Sequence, residues 1–221
     1  MGDYLMKTLN DYFQKLYCIN LDKRSDRWDL AEPHFANLGL NVERVSGVDG
    51  SALNLEFPPE IKEGAVGCSL SHLFTIKLAK QNNLDNFLLL EDDVVFDDNI
   101  NEKFFSVLDQ VPDDWDMLYL GGQHFHGMNM PRVSENIYKC VYTLAAQSVG
   151  IKNTVYDYFI DKLMDITKIN DLHYAESHKE INAYVIIPHL TWQRNSYSDI
   201  EKIHVDYTFL KGHRYPQWGR P

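Results

Sequence analysis

The chain reads as an α/β fold in which helices flank a mainly parallel central sheet, and three observations lead there. Lys15 to Leu21 is a strand-like stretch, followed by a helix-forming segment and a second strand-like stretch, Asn41 to Val45, with short links between them. Strand, helix, strand with short connections is how such a sheet opens. Phe87-Leu88-Leu89-Leu90 is an uninterrupted apolar run that ends in Glu91-Asp92-Asp93. Three adjacent carboxylates repel one another, a cost that a positive partner such as a divalent metal relieves. Finally, 44% apolar and 13% aromatic residues exclude a disordered or collagen-like chain and call for an aromatic-rich interior or groove.

The polar run Asp22 to Arg27 breaks the first strand, Ser25 or Asp26 caps the next helix, and Gly39 stops it after Leu38. The second strand ends in the turn-like Ser46-Gly47-Val48-Asp49-Gly50, and Leu53 to Glu63, with two prolines, is a surface excursion. Gly64 to Ser69 then leads into a helix in which Leu70, Leu73, Phe74, Lys77 and Leu78 recur at near-helical spacing. After the Phe87 strand, Ile100 to Leu108 is helical and Trp115 to Leu120 is a strand closed by Gly121-Gly122. Gln123 to Pro131 is expected to be a mobile loop, Tyr138 to Ala145 a strand, and Gly150 to Leu163 a helix. Ala183 to Ile187 is a short strand stopped by Pro188, and Trp192 to Pro221 shows no clear period.

The 221 residues suit one compact domain, 1–221, with 192–221 as a C-terminal extension over the site. A net charge of -11 from 32 acids against 21 Lys and Arg repels a phosphate backbone, so nucleic acid is not an expected partner. A small nucleotide still binds where a metal and a local basic patch assist. Cys18, Cys68 and Cys140 form no C-x-x-C pattern and read as reduced and mostly buried. That favours a cytoplasmic chain. Met1 to Gln14 has neither a basic start with an apolar block nor the length of a transmembrane span, so any membrane work is peripheral.

Ligands of parallel sheets bind beyond the carboxyl ends of the strands, where Glu91 to Asp93 fall. In an extended chain Glu91 and Asp93 point one way and Asp92 the other, so the outer two share an ion unless a bend substitutes Asp92. The plainer reading is a surface turn. Asn20, Arg24 and Arg27 follow the first strand: the planar fork of Arg24 suits a diphosphate and Asn20 a base or ribose edge, or the arginines are simply solvated. Asp49-Gly50 contacts a nucleotide or makes a turn. Gly64 and Gly67 permit close backbone approach or present amides at a helix start, or only turn the chain. His72 binds a ligand or is a structural buried histidine. Gln193, Ser196, Ser198 and Asp199 form a polar cluster in which Asp199 orients an acceptor hydroxyl, completes an ion site, or caps a helix from Ile200. His124, His126, His204 and His213 lack zinc-ligand spacing, and there is no G-x-S-x-G elbow, P-loop or dinucleotide fingerprint.

Tyr17-Cys18-Ile19-Asn20-Leu21-Asp22-Lys23-Arg24-Ser25-Asp26-Arg27, Val48-Asp49-Gly50, Gly64-Ala65-Val66-Gly67-Cys68-Ser69-Leu70-Ser71-His72, Leu90-Glu91-Asp92-Asp93, and Gln193 with Ser198-Asp199-Ile200 occur in an order and spacing that resembles glycosyltransferase family 25. That group includes bacterial lipooligosaccharide glycosyltransferases and collagen galactosyltransferase domains. The resemblance implies a GT-A-like fold holding a nucleotide-sugar donor beside an acidic metal motif. It assigns Asn20, Arg24, Arg27 and Asp49 to the donor side, and Gly64, Gly67 and His72 to the same cleft. Glu91 and Asp93 are then the ligands of Mn2+ or Mg2+, Asp92 serves the donor diphosphate, and Asp199 lies at the closing side. His173-Tyr174-Ala175-Glu176 departs from an expected Val-Asp-like element, with Glu176 as the substitute.

The implied reaction transfers a hexose, galactose or glucose, from a UDP-sugar to a hydroxyl of a glycan, a lipid-linked saccharide or a hydroxylysine-like protein acceptor. Asp199 and Glu176 are the candidate bases for an inverting route. The competing readings are an inactive relative that binds a nucleotide or glycan, and a metal-dependent nucleotide-sugar hydrolase.

Overall fold

A computed structural model describes residues 7–124, 129–207 and 210–211. The first apolar stretch is β1 (Leu16–Asn20), followed by α1 (Ser25–Asn37), after which Gly39 takes a left-handed φ of 68°. β2 (Val42–Ser46) precedes α2 (Glu63–Gln81), and the Phe87 run is β3 (Asn86–Glu91). A turn at Asp92 and Asp93 sends β4 (Val94–Phe96) out of the main sheet, before α3 (Ile100–Val107) and β5 (Met117–Tyr119). Short strands β6 (Gln123–His124), β7 (Ile137–Lys139) and β8 (Thr143–Leu144) lead to β9 (Ser148–Lys152), α4 (Tyr156–Leu163) and α5 (Asn170–Ser177). The described chain closes with β10 (Ala183–Ile186), β11 (Thr191–Gln193) and the hairpin of β12 (Ser196–Ser198) with β13 (Ile203–Val205).

The fold is mixed α/β. Seven strands form the central sheet in the order β2-β1-β3-β9-β5-β10-β7. β2, β1, β3, β5 and β10 share one direction, while β9 and β7 run against them. The sheet is thus less parallel than expected, because Ser148–Lys152 is a strand where the spacing predicts the start of a helix. Its side chains show why: Val149 and Ile151 are fully buried, and a Cβ on Gly150 between them would meet the Phe13 ring at 2.6 Å. A ring lying on the strand backbone needs glycine there. The helix begins only at Tyr156.

Three further expectations change. Tyr138 to Ala145 splits into β7 and β8. Within the expected mobile loop, Gln123 and His124 pair with β8 and Met130 is buried, while residues 125–128 lie outside the described residues. The turn of the β12–β13 hairpin replaces a helix from Ile200. Of the expected extension, residues 208–209 and 212–221 lie outside the described residues. No helix among the described residues is long and apolar enough to cross a membrane.

Period-two alternation divides the core across the sheet. Leu16, Cys18, Leu88 and Leu90 face one cluster with Phe35 of α1 and Phe104 of α3. Tyr17, Phe87 and Leu89 face the other with Ile76 of α2 and Phe159 of α4. Apolar helices cover both faces, which is why the Phe87 run has no polar face.

Beneath the second layer His178 is 2% exposed. The Thr143 amide donates to its Nδ1 at 3.3 Å, which leaves Nε2 to carry the proton toward the Tyr119 hydroxyl, also at 3.3 Å. A second ring proton would point at that amide. Burial above all, then His124 nearby, lowers the His178 pKa to about 3 from the usual 6.5. Between these values the unfolded chain takes up a proton that the folded chain refuses, so acidification destabilises the fold. We expect stability to fall by about 1.4 kcal/mol per pH unit in this window from His178. His178→Gln should remove that part of the slope, measured by urea unfolding at neutral pH and near the acid end.

Candidate active site at the carboxyl ends of β1 and β3

Ile19 and Glu91 are register partners across β1 and β3, so Asn20 and Asp92 emerge side by side. Asn20 Nδ2 donates to Asp92 Oδ2 at 2.6 Å and to the Arg24 carbonyl at 3.0 Å, and Arg44 Nε donates to Asn20 Oδ1 at 2.8 Å. Its amide is consumed in building the turn, which removes it from the base or ribose contact expected of it.

Arg27 is the hub. Its Nη1 lies 2.9 Å from Asp92 Oδ1 and its Nη2 2.8 Å from Asp93 Oδ2, with Ser196 Oγ at 3.3 Å. Because the strand ends at Glu91 and turns, Asp92 converges with Asp93 on one guanidinium, the bend that the extended-chain reading left open, while Glu91 stays near enough to Asp93 to feel its charge. Burial disfavours the Arg27 charge, yet Asp93 and Asp92 outweigh it and raise the pKa. Burial also lifts Asp92 to about 6 against the pull of Arg27. Asp93 Oδ1 is buried with no hydrogen-bond partner among the described residues, and the Arg194 amide holds the Asp93 carbonyl at 2.7 Å.

Arg24 grips both oxygens of Asp26 at 2.9 Å and forms an ion pair with Asp199. Hydrogen bonding to Asp26 is the main reason its pKa rises. The C-terminal hairpin is thereby tied to the loop after β1, and Lys62 to Glu201 at 2.5 Å ties it to the start of α2. Asp199 lines the cleft, but as the partner of Arg24.

The glycines act through backbone approach. A Cβ on Gly67 would lie 2.5 Å from the Val48 carbonyl oxygen, and one on Gly50 1.8 Å from the Glu63 carbonyl oxygen. Asp49 accepts from the Ser51 amide at 3.1 Å and pairs with Lys23 at 2.5 Å. The Ser71 hydroxyl accepts from the Val48 amide at 2.8 Å. Gly64 meets the hairpin instead, with Ile200 Cα 3.3 Å from its would-be Cβ.

On the next turns of α2, Cys68 and His72 face Glu91. His72 is fully buried, with Nδ1 3.1 Å from the Tyr174 hydroxyl and Nε2 3.3 Å from Glu91 Oε1. Burial lowers His72 to about 4, so its contact with Glu91 at neutral pH is a hydrogen bond rather than a charge pair. Burial first, then repulsion from Asp93 and Asp171, pushes Glu91 well up.

Glu176 does not enter the site. It is exposed on α5 and paired with Lys168 at 2.7 Å. The acid that α5 contributes is Asp171, which lines the cleft. Its carboxylate accepts from the amides of Ala145 at 3.0 Å and Ala146 at 3.3 Å, holding Ala145 at a left-handed φ of 64°. Ile169-Asn170-Asp171, an apolar residue shortly before an aspartate at a helix start, was the signal that could have found it.

These groups line a cleft of about 960 Å3 that also takes in Gln193, Tyr197 and Tyr207. Acidic side chains outnumber basic ones along its described wall, so an anionic ligand needs an accompanying cation. The donor chemistry fits one. Glu91 and the unpartnered Asp93 Oδ1 are the oxygen donors a hard divalent ion takes. Cys68, His72 and Glu91 form a second set, with one donor atom from each within 4.8 Å of the others.

Residues 13–188 match glycosyltransferase family 25 (LPS biosynthesis protein), and the chain belongs to that family. Human procollagen galactosyltransferase 2 is 30% identical over 129 residues, covering 49% of this chain and 21% of that protein. The procollagen lysyl hydroxylase and glycosyltransferase of Acanthamoeba polyphaga mimivirus is 29% identical over 166 residues, 60% of this chain and 18% of that protein. The matches thus span about a fifth of the length of these relatives. Among solved structures, a glycosyltransferase involved in the glycosylation of the major capsid of PBCV-1 aligns with a TM-score of 0.41 at 15% identity, over 68% of this chain and 64% of that one.

Removing the hub leaves two buried carboxylates unpaired. Arg27→Met is expected to cost about 3–5 kcal/mol in urea unfolding at neutral pH and to lift the Asp92 pKa further, read by carboxylate NMR titration. Arg27→Lys should recover part of both.

Proposed function

We propose that this chain is a GT-A-like, metal-dependent hexosyltransferase that moves galactose or glucose from a UDP-sugar to a hydroxyl of a glycan, a lipid-linked saccharide or a hydroxylysine-like protein acceptor. One observation carries the reading: in a family 25 chain, Asp92 and Asp93 are gathered by Arg27 at the strand ends, with Asp93 Oδ1 left buried and unpartnered in the cleft. Glu91 and Asp93 are the proposed ligands of Mn2+ or Mg2+. Such an ion supplies electrostatic relief where charge grows on the departing diphosphate.

The chain's own residues do the rest. Arg27 holds Asp92 and Asp93 in place, so the site needs little rearrangement to receive a cation. Lys23 and Lys202 of the cleft wall, and Arg24 once Asp199 yields it, meet the diphosphate. Asp171 has no basic partner among the described residues and accepts the hydrogen bond of the acceptor hydroxyl, taking its proton on an inverting route. Asp199 and the hairpin cover the site, in keeping with 1–221 as one domain closed by its C-terminal part. The free cysteines support a reducing, cytoplasmic location, or one peripheral to a membrane. Galactose leads among donors because procollagen galactosyltransferase 2 is a relative.

The test is UDP release from UDP-galactose and UDP-glucose with Mn2+, with and without acceptors. Acceptor-dependent release supports transfer, equal rates without acceptor mark a hydrolase, and binding without release marks an inactive relative. Asp93→Asn is expected to lower metal-dependent turnover by roughly 10²–10³-fold with the thermal melt retained; unchanged turnover at limiting Mn2+ removes its role. In single-turnover transfer, Asp171→Asn should slow the chemical step by roughly 10²–10⁴-fold at little change in donor affinity. Glu176→Gln should match the parent chain.

A further inference from the structure

Cys68 and His72 stand four residues apart on α2, the spacing that puts two side chains on one helix face. Glu91 projects from the end of β3 to meet them. One donor atom from each of the three lies within 4.8 Å of the others. A tetrahedral zinc with bonds of about 2.0–2.3 Å separates its ligand atoms by roughly 3.3–3.6 Å. His72 Nε2 and Glu91 Oε1 already stand 3.3 Å apart, so only the sulfur has to close.

We propose that Cys68, His72 and Glu91 form a site for a borderline-soft divalent ion, zinc above all, distinct in chemistry from the oxygen donors of Asp93. Sulfur, nitrogen and a single carboxylate suit Zn2+ or Co2+ and are a poor match to Mg2+, which keeps an octahedral shell of oxygens. The surroundings are those of a metal-binding histidine. With an ion bound at Nε2, the Nδ1 N–H donates to the Tyr174 hydroxyl, 3.1 Å away, which holds the ring in place. His72 and Tyr174 are fully buried, so neither swings away. Cys68 and Glu91 border the cleft, leaving the fourth position open to water or a ligand, as in three-ligand zinc sites. On binding, the Cys68 thiol releases its proton to solvent and the sulfur becomes a thiolate ligand.

Glu91 belongs to both donor sets. A zinc ion held by Cys68 and His72 therefore competes with an oxygen-ligated ion for that carboxylate, so the site is a point at which thiophilic metals reach the cleft floor. Binding itself requires nothing of the transfer reaction.

The experiment uses the full chain, freed of metal and titrated with Co2+ and Zn2+. Co2+ is expected to produce a thiolate-to-cobalt charge-transfer band that saturates at one equivalent, that Zn2+ displaces and that excess Mg2+ does not. Cys68→Ser should abolish the band and weaken zinc at least roughly 100-fold, and Tyr174→Phe should keep the band while weakening zinc roughly 10–100-fold, each at a retained thermal melt. Zinc should also protect Cys68 of the unaltered chain from alkylation, a readout that needs no variant. No charge-transfer band in the unaltered chain, or equal zinc affinity in Cys68→Ser, overturns the proposal.

Discussion

One guanidinium holds the cleft together. Arg27 ties the first turn of α1 to the turn that ends β3, and through Ser196 to the hairpin that follows β11. Asp92 and Asp93 are each under a tenth exposed, so their mutual repulsion is felt at low dielectric, and only a cation with two donor edges neutralises both. Burial still outweighs the pull of Arg27 at Asp92 and lifts its pKa to about 6. Segments far apart in the chain meet because two acids and one base cannot be separated without leaving charge stranded.

Around that hub the backbone is packed rather than merely connected. Gly50 and Gly67 let the turn after β2 lie directly on the first turns of α2, where any side chain would collide with a carbonyl. β4 leaves the main sheet and pairs with β11 in antiparallel register, Gln193 opposite Val94, which carries the C-terminal segment across the cleft. Arg24 with Asp199 and Lys62 with Glu201 then fasten the hairpin. These outer pairs are more exposed and contribute less than the hub, so the covering segment is the part of the cleft wall with the least to lose on opening.

The cleft floor divides its donors by hardness. The Asp93 side is all oxygen, the α2 side adds sulfur and imidazole, and Glu91 lies between them. A chain with an acidic wall attracts cations of any kind, and the identity of the donor atoms decides which ion each place keeps.

Much of this was legible in the residues. The apolar run before Glu91 could only be a strand covered on both faces, and its acids had to fall at its carboxyl end, since polarity changes abruptly at Leu90. Gly67 signalled close approach for the reason the backbone confirms: a Cβ does not fit. Local patterning does not extend to direction or pairing. Gly150 breaks a helical and a strand pattern alike, and pairing with β3 and β5, with the Phe13 ring seated against Gly150, makes β9 a strand and the sheet mixed. Glu176 and Asp171 differ little as residues, yet helix rotation turned one to solvent beside Lys168 and the other into the cleft. The linear order of residues thus determined which chemistry was present and near which strand ends it lay. Tertiary structure alone decided which acid faces which base, because ion pairing and donor geometry depend on distances between segments that chain spacing does not encode.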